Sequence, residues 1–120
     1  MVFLRYQQCM PRHGHAKADE RSLELHQAAL EKLGKNPELR PPVVKLVERW
    51  LEREDQRSSR PWLEEWRDML TTWTLPAIMD LVLDEERGHV LRQCSPLAPV
   101  LTPRERWAVL KRVTSASKRG

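Results

Sequence analysis

Residues 41–55 read PPVVKLVERWLERED, and whether this stretch forms a strand or a helix decides the class of the fold. "VVKLV" taken alone has the β-branched character of a strand. Its spacing says otherwise: Val43, Val47, Trp50 and Leu51, with Leu46 flanking, recur at i, i+4, i+7 and i+8, the period of one helical face. Arg49, Glu52, Arg53 and Glu54 fall mainly on the other side. Pro41 and Pro42 sit near the start, where a missing N–H costs a helix little. The stretch is helical.

The same period extends in both directions. Upstream, "DERSLELHQAALEKLG" (19–34) predicts a helix capped by Asp19, apolar at Leu23, Leu25, Leu30 and Leu33, and stopped by Gly34. Downstream, the linker "DQRSSR" leads into "PWLEEWRDMLTTW", with Pro61 in its first turn and Ser58 or Ser59 as cap. Trp62, Trp66, Met69, Leu70 and Trp73 share a face there. "TLPAIMDLVL" follows, capped by Thr74, and then "DEERGHVLRQC", whose leading acids complement the helix dipole. "SPLAPVL" predicts an extended connection, since each proline disfavours helix at the residue before it. No segment alternates with period two for long. The expected fold is all-α: a compact bundle of five to six short helices over residues 19–114, with a flexible arm at 1–18 and a basic tail at 115–120.

At 120 residues the chain has one domain's worth of core to bury. It lacks the roughly 18 consecutive apolar residues of a membrane helix. "MVFLRYQQCM" is broken by Arg5, Gln7 and Gln8 and is no signal peptide, so a cytoplasmic location is expected. Met10 offers a second possible start. Cys9 and Cys94 read as free thiols in a reducing compartment.

Catalytic chemistry is weakly indicated. There is no CxxC, no HExxH and no glycine-rich phosphate loop. His26 lies on a largely apolar face and reads as a hydrogen-bonded packing residue. His89 and Cys94 have no recognisable third group to orient them as a nucleophile pair. The carboxylates of Glu64-Glu65 and of Asp84-Glu85-Glu86 are adjacent in sequence and diverge on a helix. Neither metal nor cofactor is expected, and the chain reads as non-catalytic.

Charge and tryptophan point instead to contact. The net charge is +4, and from Arg104 onward six basic residues face the single acid Glu105. Lys111, Arg112, Lys118 and Arg119 are therefore candidate nucleic-acid contacts. Five tryptophans outnumber one Phe and one Tyr, and an exposed indole makes a strong interface anchor. Trp62, just after the linker, is the candidate anchor; Arg92, Gln93, Arg104 and Arg106 flank the "SPLAP" bend as a candidate partner-binding patch.

"LTPRERWAVLKRV" (101–113) resembles the first helix of a LuxR-type helix-turn-helix domain. Thr102, Pro103 and Glu105 form a capping box that explains this string without DNA. "TSASKRG" is too short to supply a recognition helix, so the likeness is local. The helix is expected to dock through Trp107 and Leu110, with Val113 beyond them.

A broader likeness spans residues 21–113. Ser22, Leu23 and His26, then Glu48-Arg49-Trp50, then Leu91-Arg92-Gln93 with Ser95-Pro96, then Glu105-Arg106-Trp107 resemble the pattern of small bacterial helical proteins of toxin–antitoxin-like two-gene operons. Cys94 and Leu97 stand where that pattern has Ser and Phe. The resemblance implies an antitoxin-type role, the non-catalytic partner that neutralises a toxin-like enzyme. The alternative is a nucleic-acid-binding accessory protein using the basic C-terminal end.

Overall fold

The computed structural model describes residues 12–53 and 58–119, and side chains within 20–53 and 58–114. Six α-helices run through these residues: α1 (Arg12–Lys35), α2 (Arg40–Leu51), α3 (Arg60–Thr72), α4 (Leu75–Val82), α5 (His89–Gln93) and α6 (Pro103–Arg119). Short 3₁₀ turns at Pro37–Leu39 and Ala98–Val100 join them, and no strand occurs among the described residues. The all-α expectation holds. No described helix is long and apolar enough to cross a membrane.

α2 and α3 form an antiparallel hairpin. At one end Arg40 donates to the Trp73 carbonyl (3.2 Å); at the other Arg60 donates to the Leu51 carbonyl. Val43, Val47 and Leu51 turn inward from α2, as their spacing predicts. From α3 the buried residues are Leu63, Trp66, Met69 and Leu70. α1 packs against α6 and α4, burying Ala29, Leu30 and Leu33, and α4 adds Ile78 and Val82. Trp66 is the largest side chain fully enclosed, and its Nε1–H donates to the Leu91 carbonyl at 2.9 Å, which ties α5 to the core.

Helix boundaries depart from the sequence reading where local hydrogen bonds compete. α1 begins at Arg12, ahead of Asp19, since Ala16, Lys17 and Ala18 are all good helix formers. The expected arm is thus helical from Arg12, while Cys9 and Met10 lie outside the described residues. Gly34 does not stop α1, which runs on to Lys35, and no glycine has positive φ among the described residues. Ser59 occupies the N-cap of α3 without a side-chain cap bond, whereas Thr74 caps α4 by accepting from the Ala77 N–H. α5 is shorter than expected because Asp84 Oδ2 takes the N–H groups of Glu86 (3.1 Å) and Arg87 (2.7 Å), holding 84–88 as a turn. "SPLAPVL" is likewise a turn, closed by the Ser95 hydroxyl on the Leu97 N–H (3.1 Å).

Gly88 is required by the close approach of α5 to the end of α4. A Cβ at this position would lie 2.2 Å from the Val82 carbonyl oxygen and 2.6 Å from that of Leu81, closer than any side chain tolerates.

α6 runs to Arg119 through the segment expected as a tail. It opens with the predicted capping box: the Thr102 N–H donates to Glu105 Oε1 (2.8 Å), and the Glu105 N–H to Thr102 Oγ1 (3.2 Å). Its inward stripe is a correction to the sequence reading. Val109 and Val113 are buried and Leu110 is half-buried, while Trp107 is 65% exposed. The helix docks through its valines.

Trp66 and Trp107 should therefore behave oppositely. Trp66→Ala removes a fully buried indole and should cost about 3–5 kcal/mol of unfolding free energy. Trp107→Ala should stay within about 0.5 kcal/mol of the parent. Urea midpoints of the two variants check both expectations.

Candidate interaction surfaces

The sequence-predicted contact residues divide among three environments. Arg92 is buried rather than presented to a partner. Its Nη1 donates to the carbonyls of Val82 (2.6 Å) and Asp84 (2.9 Å), and its Nη2 to that of Glu85 (3.5 Å). A cation suits the carbonyl-rich end of α4, where the helix dipole is negative. Gln93 is exposed, with Nε2 3.3 Å from His89 Nε2. Trp62 packs half-buried against the core from α3. The expected patch of Arg92, Gln93, Arg104 and Arg106 therefore does not assemble as one surface. Residues 104 and 106 lie about 200° apart around a helix.

Two surfaces take its place, one on each side of α6. The outer face carries Arg104, Trp107 and Lys111 at i, i+3 and i+7, all exposed. Arg112 is also exposed, off that face, and Lys118 and Arg119 lie beyond the described side chains. No described acid pairs with Arg104 or Lys111. Among the described residues, Trp107 is the large hydrophobic residue left in water. Its position could have been read from the Val109–Val113 spacing, an i, i+4 pair whose stripe excludes Trp107.

The inner side of α6 faces a cleft of about 450 Å³. One wall is α1, with Arg21, Ser22, Leu25, His26 and Ala29. The other is built from Leu97, Ala98 and Leu101 with Arg106 and Leu110 of α6, and Arg92 and Ser95 complete the lining. Arg92 and Arg106 are thus the two predicted residues that the fold brings together, with His26 of α1 lining the same cleft.

Lys32 and Glu105 hold these walls in register. Glu105 Oε1, already engaged by the Thr102 N–H, also accepts from Lys32 Nζ at 2.7 Å. The Lys32 hydrogen bond first, and the Thr102 N–H second, hold the Glu105 carboxyl below its ordinary range.

His26 is the packing residue expected from its surroundings. Its Nδ1–H donates to the Ser22 carbonyl at 2.7 Å, fixing the tautomer and leaving Nε2 as acceptor. Burial pushes the imidazole below its ordinary value, Arg92 adds to that depression, and the Ser22 bond opposes it. The ring is uncharged at neutral pH.

Cys94 offers no nucleophile: burial raises its thiol to about 12, and Sγ points at the Val90 carbonyl (3.4 Å). Among the described residues no group of three His, Cys, Asp or Glu side chains is placed to hold a metal ion. No family model, curated protein or solved structure matches the chain.

Two outcomes are expected. Arg92→Met keeps the volume but orphans several carbonyls, and should cost about 2–4 kcal/mol in urea unfolding. Arg92→Lys should recover only part, because the three donors of an ammonium share one nitrogen and cannot span the carbonyls that Nη1 and Nη2 reach separately. His26 sets an acid-side dependence: the unfolded chain takes up its proton near the ordinary 6.5, the folded chain only at lower pH. Stability present above that value is therefore lost as pH falls through the lowered one. The urea midpoint should drop between about pH 7.5 and about pH 5.5, and drop less in His26→Gln.

Proposed function

We propose that this protein acts by contact: a cytoplasmic, non-catalytic binding protein of the antitoxin type, whose outer α6 face engages a toxin-like enzyme in a bacterial two-gene system. The observation that carries the contact reading is Trp107, 65% exposed and flanked on its own face by Arg104 and Lys111. Leaving an indole in water forgoes on the order of 2–3 kcal/mol of burial. Tryptophan and arginine are the residues that most often dominate interface energetics once a partner covers them. The two cations select an acidic surface on that partner and speed the encounter. The two-gene setting rests on the likeness carried by Ser22, His26, Glu48-Arg49-Trp50 and Glu105-Arg106-Trp107.

A second reading has support from the same face. Arg104 and Lys111 beside an exposed aromatic ring suit single-stranded nucleic acid, whose bases stack on indole while cations follow the phosphates.

Co-purification with the product of the neighbouring gene tests the first reading. A stable complex is expected, weakened about tenfold or more by Trp107→Ala and by Arg104→Glu with Lys111→Glu, at unchanged urea midpoint. Failure to form a complex, or indifference to both variants, overturns it. Binding to arbitrary oligonucleotides that falls steeply with salt, and is lost in the same variants, would establish the second reading in its place.

A further inference from the structure

The cleft on the inner side of α6 is independent of the Trp107 face, and its chemistry is different. Its body is aliphatic, formed by Leu25 and Ala29 of α1 against Leu97, Leu101 and Leu110. Its ionisable lining among the described residues is Arg21, His26, Arg92 and Arg106, and no Asp or Glu is among the described lining residues. Arg21 and Arg106 are exposed, approach from opposite walls, and pair with no carboxylate among the described residues. Arg92 differs from them: its guanidinium is committed to the carbonyls of Val82, Asp84 and Glu85, so it adds positive potential from within the protein rather than a rim contact. His26 contributes a polar edge, because its Nδ1–H is held by Ser22.

We propose that this cleft binds a small amphipathic carboxylate, with the apolar body on Leu25, Leu97, Leu101 and Leu110 and the anionic head between Arg21 and Arg106. Three observations converge on that class. The volume of about 450 Å³ lies in the range of small-molecule sites. Two guanidiniums facing one space repel each other, and a single anion between them relieves the repulsion while accepting charge-assisted bonds from both. The aliphatic walls select an apolar body over the polyhydroxylated body of a sugar phosphate or nucleotide, which would be desolvated there without partners.

Decanoate is the probe, titrated below its aggregation concentration into the full-length isotope-labelled chain and followed by amide chemical shifts. Saturable shifts are expected, centred on Leu25, Ala29, Leu97 and Leu101. Decanol, with the same body and no charge, should bind at least about tenfold more weakly, having lost the charge-assisted bonds to both guanidiniums. The double variant Arg21→Ala with Arg106→Ala should lose affinity by about tenfold or more, whereas Lys111→Ala should not. Both arginines are exposed, so an unchanged urea midpoint in the double variant is the check that the fold is intact. Equal affinity for decanol and decanoate, indifference to the double variant, unsaturable shifts, or shifts centred elsewhere would each overturn the proposal. Because Trp107 lies outside the cleft, loss of partner binding in Trp107→Ala and loss of decanoate binding in the arginine variant report on separate readings.

Discussion

The rotation of α6 about its own axis is the constraint on which both interaction surfaces depend. Glu105, Val109 and Val113 form one i, i+4, i+8 stripe, and all three are spent on the rest of the protein. Glu105 meets Lys32 of α1 at 2.7 Å, and the two valines are buried behind it. The valines supply most of the free energy, at about 1.5–3 kcal/mol for each fully buried side chain. The partly exposed ion pair contributes less, as such pairs do. What the ion pair adds is register: with Glu105 fixed on Lys32, Arg106 turns into the cleft and Trp107 turns out to water. A rotation of one residue would turn Trp107 into the cleft in place of Arg106.

Arg92 imposes a second constraint, on the far wall of the cleft. α4 ends at Val82 with its last carbonyls unsatisfied, as every helix does. The Arg92 guanidinium gathers the carbonyls of Val82, Asp84 and Glu85, and Asp84 in turn fixes the Glu86 and Arg87 amides. Gly88 allows the backbone to pass close enough for this to happen. One buried cation thus replaces several separate caps, and a five-residue helix too short to be stable alone is held in place. The Trp66 indole completes the arrangement by donating to the Leu91 carbonyl. Arg92 is consequently a structural residue whose charge still reaches the cleft.

The tryptophans show how one residue type is divided by tertiary position. Trp66 is enclosed, Trp50, Trp62 and Trp73 cover the core from its edges, and Trp107 is exposed. All five lie near apolar periodicities in sequence. The three on α2 and α3, and Trp73 at the end of α3, are drawn inward because those helices pack against each other along their whole length. Trp107 sits on a helix with α1 on one side only, and that side is already filled by valine.

The helical class, the inward faces of α2 and α3, the Thr74 cap and the Thr102–Glu105 capping box are all legible in the sequence, because each depends on residues within one or two turns of one another. So is the packing role of His26, whose partner Ser22 is four residues away. The sequence alone misplaces Arg92 and Trp107. It cannot show that the Val82 carbonyl needs a cation from ten residues on, or that Lys32 waits for Glu105 across 73 residues. Those are long-range pairings, chosen by which helices meet rather than by local period. The tertiary structure decided them, and with them which basic residues face the cleft and which indole faces the solvent.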